Sequence, residues 1–320
     1  MSQKLITKGL VVASLLLGAS TLNAGVSQSL PYPTDKSKMT GLDIMNNVYY
    51  VNHFFAFKNY SIEKVKKTIT VIVKKSKGKK PLTETVERYL NNDYTDDSAV
   101  RSKDLAIFRS GKLKGNGMLI TDYSDDAKSQ EYLLWLPALR KIRRFAQPAH
   151  DDAWGGTDWT FGDVTLRKPM HETHELLGKE KFGHTIGAIV LKDGEKTKYT
   201  KNLPAPTDAY KGREVFKVKS TTKFPSWWYD YRINYVDTKT FADYRSDYYK
   251  DGKMIKYIDR DWAPIAGQTD PRALRWSTWY GKNVETGHES MAFIPESVTK
   301  YNSDLKPKLW SKRTLTKIKR

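Results

Sequence analysis

The sequence contains no cysteine among its 320 residues. This absence excludes disulfide bonds, thiol nucleophiles, iron–sulfur clusters and cysteine-ligated zinc. The nucleophile elbow Gly-x-Ser-x-Gly, the P-loop and the dinucleotide fingerprint Gly-x-Gly-x-x-Gly are also missing. We therefore expect no enzymatic activity and no cofactor. An exported hydrolase that uses loop carboxylates is the alternative, because the paired carboxylates of glycosidases meet only in space.

Acidic residues are scarce relative to basic ones. The chain has 36 Asp and Glu against 55 Lys and Arg, a formal net charge of +19. With 39% hydrophobic and 28% charged residues the composition is that of a globular protein. The charge favours an anionic partner, and for an exported protein we expect an anionic membrane surface and no nucleic acid.

Long hydrophobic runs are missing after the N-terminus, where residues 1–24 read as a signal peptide. Lys4 and Lys8 precede the apolar run 10–17, and small residues lead to a cleavage site after Ala24. No cysteine follows the run, so we expect no lipid modification there, and no later stretch approaches 18 apolar residues. These features predict a periplasmic protein, with an uncleaved N-terminal anchor as the alternative.

The first predicted element after the signal is a helix. Residues 25–39 form a polar lead, after which Thr40 and Asp43 have the spacing of a capping box. The apolar residues that follow at helical spacing are Ile44, Val48, Val51 and Phe55. This stripe predicts an amphipathic helix that packs on the core.

From about residue 60 the hydrophobic period changes to two, which is typical of strands. After a strand near 69–74, strand-like runs occur at 84–90, 104–109, 115–123, 130–136, 139–146, 185–191, 213–222, 227–237, 239–250, 253–259, 273–281 and 287–294. The pairs Ser110-Gly111, Asp193-Gly194 and Asp251-Gly252 indicate hairpin turns. The fold class is mainly β with helices (α+β), with one curved or barrel-like antiparallel sheet in a single domain, 40–320; a split into two domains is the weaker alternative.

The clearest alternation is at 227–237. Trp227, Tyr229, Tyr231, Ile233 and Tyr235 occupy one face, and Asp230, Arg232 and Asn234 the other. The pattern predicts that the aromatic face meets apolar surroundings.

Residues 130–163 carry the most unusual pattern. An apolar run with Leu134, Trp135 and Leu136 passes through Pro137 into a basic run with Arg140, Arg143 and Arg144, and Trp154-Gly-Gly-Thr-Asp-Trp-Thr-Phe-Gly-Asp163 follows. Guanidinium groups pair with carboxylates such as Asp158 and Asp163, or bind phosphate. A structural arginine–aspartate lock and a ligand site are both consistent with this pattern.

These motifs resemble the outer-membrane lipoprotein-sorting-like family, the exported relatives of LolA and LolB. The match comprises Leu-Trp-Leu-Pro, the arginine-rich strand, the Gly-Gly-Thr-Asp-Trp-Thr-Phe-Gly-Asp run and the later hairpin around Asp251-Gly252. Two departures occur: Thr157 stands where the family has Ser, and Gly162 where it has Glu. The resemblance covers about residues 40–318.

The resemblance implies a half-barrel of antiparallel strands wrapped around helices, with an apolar cavity that shields acyl chains. Its implied cavity residues are Leu134, Trp135, Leu136, Trp154, Trp159, Trp227, Trp228 and Tyr231. The implied polar or partner contacts are Arg140, Arg143, Arg144, Gly155, Gly156, Asp158 and Asp163. With 9 Trp and 19 Tyr the chain has the aromatic side chains to line such a pocket, although ordinary core packing explains them equally well.

We therefore expect a carrier for a lipid or lipoprotein acyl chain that works with an envelope membrane protein or transporter. The alternative is a non-enzymatic accessory module that binds a transporter or an anionic polysaccharide through the arginine strand. His171 and His174 are interpreted as solvated loop residues, so no metal is expected. Basic clusters at Lys74 to Lys80 and near the C-terminus are either solvated or contacts to anionic headgroups.

Overall fold

The computed structural model describes residues 27–94 and 99–318. It is mostly β, with a large open antiparallel sheet and few helices. The strands are β1 (Asn59–Ile62), β2 (Thr70–Lys75), β3 (Leu82–Asn91), β4 (Val100–Phe108), β5 (Gly117–Tyr123), β6 (Glu131–Leu136), β7 (Lys141–Phe145), β8 (Glu172–Lys181), β9 (Glu214–Thr222), β10 (Tyr231–Asp237), β11 (Asp243–Lys250), β12 (Lys253–Pro264), β13 (Leu274–Asn283), β14 (Glu289–Phe293) and β15 (Thr299–Tyr301). The α-helices are α1 (Gly41–Asn52) and α2 (Lys312–Thr316). The predicted signal peptide lies outside the described residues.

The strands follow the order β7-β6-β5-β4-β3-β2-β14-β13-β12-β11-β10-β9-β8, and every pairing is antiparallel. β1 pairs with β3 and β15 beside this path. Most neighbours along the path are also consecutive in sequence, because short turns such as Asp251-Gly252, with φ of 49° and 73°, reverse the chain. Two meanders, β2–β7 and β8–β14, meet where β2 pairs with β14.

Helix α1 begins at the predicted capping box. The Asp43 backbone N–H donates to Thr40 Oγ1 (3.2 Å), and the Thr40 N–H donates to Asp43 Oδ2 (2.8 Å). Ile44, Val48 and Val51 are buried in the main core, as the apolar stripe predicts. The helix ends at Asn52, so Phe55, the last residue of the predicted stripe, lies beyond it. The Asn52 side chain donates to Asp243 of β11 (2.9 Å), which fixes the helix against the sheet.

The sheet has two covered faces. The inner face carries Ile72, Val86 and Ala106, which share one cluster with α1. On the outer face, Leu105 and Leu119 pack under α2, and a second outer cluster packs under residues 188–203. Because side chains alternate along a strand, adjacent residues of β4 and β5 belong to different clusters.

The connection between β7 and β8, residues 146–171, lies against the inner face and is called the cover segment below. The hydroxyl groups of Thr165 and Tyr132 (β6) are 3.2 Å apart, and seven residues later Glu172 begins β8. In the strand order β6 and β8 are eleven inter-strand spacings apart. In a flat sheet these two strands would be about 50 Å apart, but a chain of seven residues spans at most about 25 Å. The sheet therefore curves around the cover segment.

Three sequence predictions about strands are wrong. Residues 185–191 form no strand: Ile186 makes only an isolated bridge with Thr207, and Ile189 and Leu191 pack in the outer cluster. β10 begins at Tyr231, so residues 227–230 precede the strand. Its polar residues Arg232 and Asn234 are buried at 5% and 0% exposure, because partners inside the sheet satisfy them, while Tyr231 is half-buried.

Candidate functional site

Two apolar cavities lie between the inner face of the sheet and the cover segment. The first, called the central cavity, has a volume of about 70 Å³. Its lining is apolar except for Thr70 and Arg88, and the other residues are Ile62, Ile72, Val86, Ala106, Trp154, Trp159, Val164, Trp276, Trp279, Ala292 and Ile294. The Arg88 guanidinium is neutralised by Asp104 at 2.7 Å, so the cavity has no free charge from it.

The second, called the side cavity, is larger, at about 240 Å³, and lies toward β5 and β6. It is lined by Phe108, Leu113, Asn116, Gly117, Met118, Leu134, Trp135, Leu136, Trp154, Gly155 and Phe161. Trp154 belongs to the wall of both cavities, and its ring centroid is 6.2 Å from that of Phe108. Trp154 is therefore the lining residue that the two cavities have in common.

A tight turn in the cover segment places Trp154 and Trp159. Ala153 and Thr160 form an antiparallel bridge, and the Trp154 N–H donates to the Trp159 carbonyl (2.8 Å). Gly155 and Gly156 have φ of 59° and 70°, a left-handed conformation that glycine adopts without a Cβ clash. Lys74 of β2 donates to the Gly155 carbonyl (2.8 Å), which ties the turn to the sheet.

The Asp158 side chain contacts β14 and the loop that precedes it. Its carboxylate accepts a hydrogen bond from the Ser290 hydroxyl (2.7 Å) and lies 2.8 Å from Nδ1 of His288. Burial raises the pKa of Asp158, although both of these contacts oppose the rise. Asp158 therefore anchors the turn to β14 and the loop before it.

Asp163 anchors the cover segment more deeply. Its fully buried carboxylate accepts hydrogen bonds from Lys256 (2.6 Å), Tyr248 (2.6 Å) and Arg167 (2.8 Å). Burial alone would raise the pKa of Asp163, but Lys256 and Arg167 outweigh it and hold the pKa well below its usual range. The ionised carboxylate thus joins the segment to β11 and β12.

Glu172 and Arg232 form a second buried ion pair on the inner face, with Nη2 and Oε2 2.7 Å apart. The Tyr229 hydroxyl also donates to Glu172 (2.8 Å). Burial would raise the pKa of Glu172, yet Arg232 outweighs this effect and the pKa lies at about 2. The inner face is therefore ionic at β8–β12, whereas the linings of the two cavities are mostly apolar.

The predicted cavity residues fall into three places. Leu134, Leu136, Trp154 and Trp159 line one or both cavities. Trp135 borders the side cavity but packs mainly with the outer cluster under α2, because it alternates with Leu134 along β6.

Trp227, Trp228 and Tyr231 are elsewhere. The Trp227 ring lies 4.9 Å from His150 and 5.1 Å from Trp228 between centroids, at the β8–β10 end of the cover segment. Tyr231 stacks on Tyr249 with Lys219 over its ring. None of the three lines either cavity.

The predicted arginine–aspartate lock does not form between the predicted residues. Arg140, Arg143 and Arg144 are exposed in and next to β7, and Arg144 pairs with Glu131 instead. Residues 136–140 form a turn in which Arg140 has φ of 49°, so β7 projects as the edge strand. Asp158 and Asp163 point into the opposite half of the sheet and take partners there.

The histidine interpretation is also corrected. His174 lies in β8, with its ring nitrogens 2.8 Å from the Ser220 hydroxyl and the Pro169 carbonyl. His171 packs near His150 and Trp227, and burial lowers its pKa to about 4. Among the residues that the structure describes, no cluster of His, Asp or Glu has the composition of a metal site.

Several cavity residues were missed at the sequence level, chiefly Phe108, Met118, Phe161, Trp276 and Trp279. Period-two alternation in 104–109, 115–123 and 273–281 indicates which residues share a face of each strand. It does not indicate which of two buried faces has the cavity.

The comparisons with known proteins concern family and fold. A family model described only as an uncharacterized protein matches residues 101–204. No curated protein matches the sequence. No helix in residues 27–94 or 99–318 is long and apolar enough to cross a membrane.

Three solved structures share the architecture. A putative outer membrane lipoprotein-sorting protein domain from Vibrio parahaemolyticus has a TM-score of 0.62 at 14% identity, covering 87% of this chain and 98% of its own. A DUF1329 family protein from Desulfovibrio piger has a TM-score of 0.62 at 15% identity, and the match covers 86% of this chain and 97% of the Desulfovibrio chain. A LolA superfamily protein from Nitrosomonas europaea has a TM-score of 0.51 at 12% identity, and the match covers 86% of this chain and 99% of the Nitrosomonas chain. The chain therefore has the LolA-like fold that its central motif predicts.

Proposed function

We propose that this chain is a non-enzymatic periplasmic carrier that holds an acyl chain of a lipid or lipoprotein between its sheet and its cover segment. Residues 40–320 would form the carrier domain, behind a signal peptide at 1–24. The observation that carries this proposal is the pair of apolar cavities that share Trp154 as a lining residue. The similarity to a putative outer membrane lipoprotein-sorting protein domain from Vibrio parahaemolyticus supports this class of cargo.

The physical basis is the burial of methylene groups. Each CH₂ removed from water contributes about 0.8 kcal/mol, so an acyl chain supplies on the order of 10 kcal/mol before the costs of association. Neither cavity alone reaches roughly 300 Å³, the lower end for small-molecule pockets. Binding therefore requires that Trp154 swing aside and join them.

The contacts of the cover segment define where the acyl chain enters. Asp158 and Asp163 hold the segment to β11, β12 and β14 through charged and polar hydrogen bonds. Beside the side cavity, by contrast, Trp154 and Phe161 meet Phe108 and Tyr132 through ring contacts. Polar contacts on this side, such as the Lys168–Asp126 ion pair, lie farther along the segment. An acyl chain can replace apolar contacts with similar contacts of its own, so little free energy is lost. It cannot replace the partner of a buried ion pair, so breaking such a pair is costly. The side cavity is thus the proposed entrance.

Displacement of a fluorescent fatty acid tests this site. Leu134→Glu places a carboxylate in the wall of the side cavity and is expected to weaken binding by tenfold or more. Leu139→Glu is the matched control, since Leu139 is 53% exposed in the β6–β7 turn. Equal affinities of the two variants, with the fold intact by circular dichroism, would contradict the proposal.

A second candidate function is an accessory module that binds an anionic partner through β7. The supporting observation is that this edge strand presents Arg140 and Arg143, which have no carboxylate partner among residues 27–94 and 99–318. Salt separates the two functions, because ionic contacts weaken in high salt and acyl burial does not. Sedimentation with phosphatidylglycerol vesicles that is lost in an Arg143→Gln/Arg144→Gln variant, with fatty-acid binding unchanged, would favour this candidate.

A further inference from the structure

A basic groove lies on the outer face of the sheet, away from both cavities. It has a volume of about 500 Å³, and Ile69 and Thr85 belong to its lining. The remaining lining residues are Lys64, Lys66, Lys67, Arg109, Lys198 and Tyr199. Five of these side chains are cationic, and the groove has no acidic residue in its lining.

The lysines come from two separate parts of the chain. Val65 and Thr68 exchange two backbone hydrogen bonds of 2.9 Å, so Lys66 and Lys67 occupy the tip of a two-residue turn. Lys198 comes from the segment that covers the outer face, and its ammonium lies 4.9 Å from the Tyr199 ring centroid. The fold therefore gathers these charges; they are not a single run in the sequence.

Most of this charge is not neutralised. Glu87 engages Arg109 and also accepts from the Lys64 backbone N–H (2.9 Å). Lys64, Lys66, Lys67 and Lys198 form no ion pair within the described part of the chain. Four ammonium groups in one groove repel each other, and a bound polyanion removes that repulsion.

The turn also places a lysine where another residue would fit the backbone better. Lys66 has φ of 54°, in the left-handed region that glycine and asparagine tolerate and that costs other residues free energy. Residues held in such a conformation are found preferentially at functional sites.

The groove and the acyl-chain cavities use opposite faces of the same strands. Thr85 lines the groove and Val86 the central cavity; likewise Ile69 lines the groove and Thr70 the cavity. A molecule held in the groove is therefore separated from the cavities by the sheet. The site stands independently of the carrier proposal.

We propose that this groove binds a group that carries two phosphates. Two phosphate monoesters, each with a charge of about −1.5 to −2, balance four ammonium groups. Lysine binds phosphate as a point charge, whereas planar carboxylates favour the guanidinium fork, and the one arginine here is occupied by Glu87. The phosphates come either from a lipid headgroup or from a soluble phosphorylated molecule.

Calorimetric titration of the mature chain with pyrophosphate is the primary test. The Lys66→Gln/Lys67→Gln variant is expected to bind at least tenfold more weakly than the wild type, with a strong dependence on salt. Lys77→Gln/Lys79→Gln removes the same charge from the exposed turn between β2 and β3 and should leave the affinity within about twofold. Lys66→Asn should weaken binding while keeping or raising the melting temperature, because asparagine suits the positive φ.

Two further titrations identify the source of the phosphates. Phosphatidic acid vesicles present neighbouring headgroups that together supply two phosphates. Vesicle binding that also depends on Lys66 and Lys67 supports a lipid headgroup, and pyrophosphate binding without vesicle binding supports a soluble molecule. The proposal is overturned if pyrophosphate does not bind, if both double variants lose affinity equally, or if only an acidic peptide such as polyglutamate binds.

Discussion

Lys256 donates a 2.6 Å hydrogen bond to Asp163, and both side chains are buried, at 8% and 0% exposure. This pair joins the cover segment to β12 on one side of the inner face. Beside the side cavity the segment meets the sheet through the rings of Trp154 and Phe161, whereas farther along Lys168 forms an ion pair with Asp126 (2.7 Å). The account of this protein as a carrier depends on that local difference: the part of the segment beside the side cavity is held by apolar contacts that an acyl chain can replace.

Asp163→Asn is expected to destabilise the fold by about 3–5 kcal/mol, because it removes the carboxylate that pairs with the buried Lys256 and leaves Arg167 only its longer carboxylate contact, to Glu172 (3.9 Å). The free energy of unfolding in urea measures the effect. Asp151→Asn, in an exposed position of the same segment, is the control and should change it by less than about 0.5 kcal/mol. A similarly small change in Asp163→Asn would show that the ion pair does not anchor the segment.

Trp154→Ala is expected to lower stability and yet speed up acyl-chain uptake. Removal of the half-buried indole costs about 2 kcal/mol and merges the two cavities. Stopped-flow fluorescence with a labelled fatty acid measures the rate. Trp310→Ala removes a buried indole from the outer cluster and should destabilise without changing uptake. Slower uptake in Trp154→Ala than in Trp310→Ala would refute the gating role of Trp154.

Stability is expected to fall on acidification from about pH 6.5 toward pH 4. Burial, with Arg88, Arg101 and Lys168 nearby, lowers the pKa of His53 to about 3, and burial lowers that of His171 to about 4. At a pH between the folded pKa of each histidine and its unfolded pKa of about 6.5, the unfolded chain binds more protons than the folded chain. The free energy of unfolding therefore decreases as the pH falls, by up to about 1 kcal/mol per pH unit for each histidine. Burial raises the pKa of Asp259 to about 6, which opposes part of this change.

Urea midpoints at several pH values test this prediction. His53→Gln should flatten the curve between pH 6.5 and 4. Tyr49→Phe, which changes the ring stacked on His53 at 3.7 Å, should leave the slope unchanged. An identical slope in wild type and His53→Gln would show that His53 does not contribute.

Thr40→Ala should reduce stability by about 1 kcal/mol through loss of the cap of α1, while Thr40→Ser retains most of it. Thermal unfolding followed by circular dichroism compares them. Equal melting temperatures for the Thr40→Ala and Thr40→Ser variants would indicate that packing alone determines where α1 begins.

Much of the fold follows from local sequence patterns. The Thr40–Asp43 spacing predicts the helix start, and period-two alternation with Asp251-Gly252 predicts the β11–β12 hairpin, because both are settled within a few residues. Trp154 and Trp159 in the predicted site also line the central cavity.

The remaining features depend on partners far along the chain. Arg232 reads as a solvent-facing residue in the sequence, but Glu172, sixty positions away, neutralises it inside the fold. Asp163 lies within reach of the arginine strand in sequence, yet Lys256 is its partner in space. His174 looks like a loop residue because β8 is polar, and only its pairing with β9 makes it a strand.

Native mass spectrometry tests the central claim most directly. The protein is purified gently from an envelope fraction and its mass is recorded before and after solvent extraction. The account predicts an added mass of a lipid or acylated peptide that disappears on extraction and is absent from the Leu134→Glu variant. A clean mass for the unliganded chain, with no uptake of fatty acid on incubation, would contradict it.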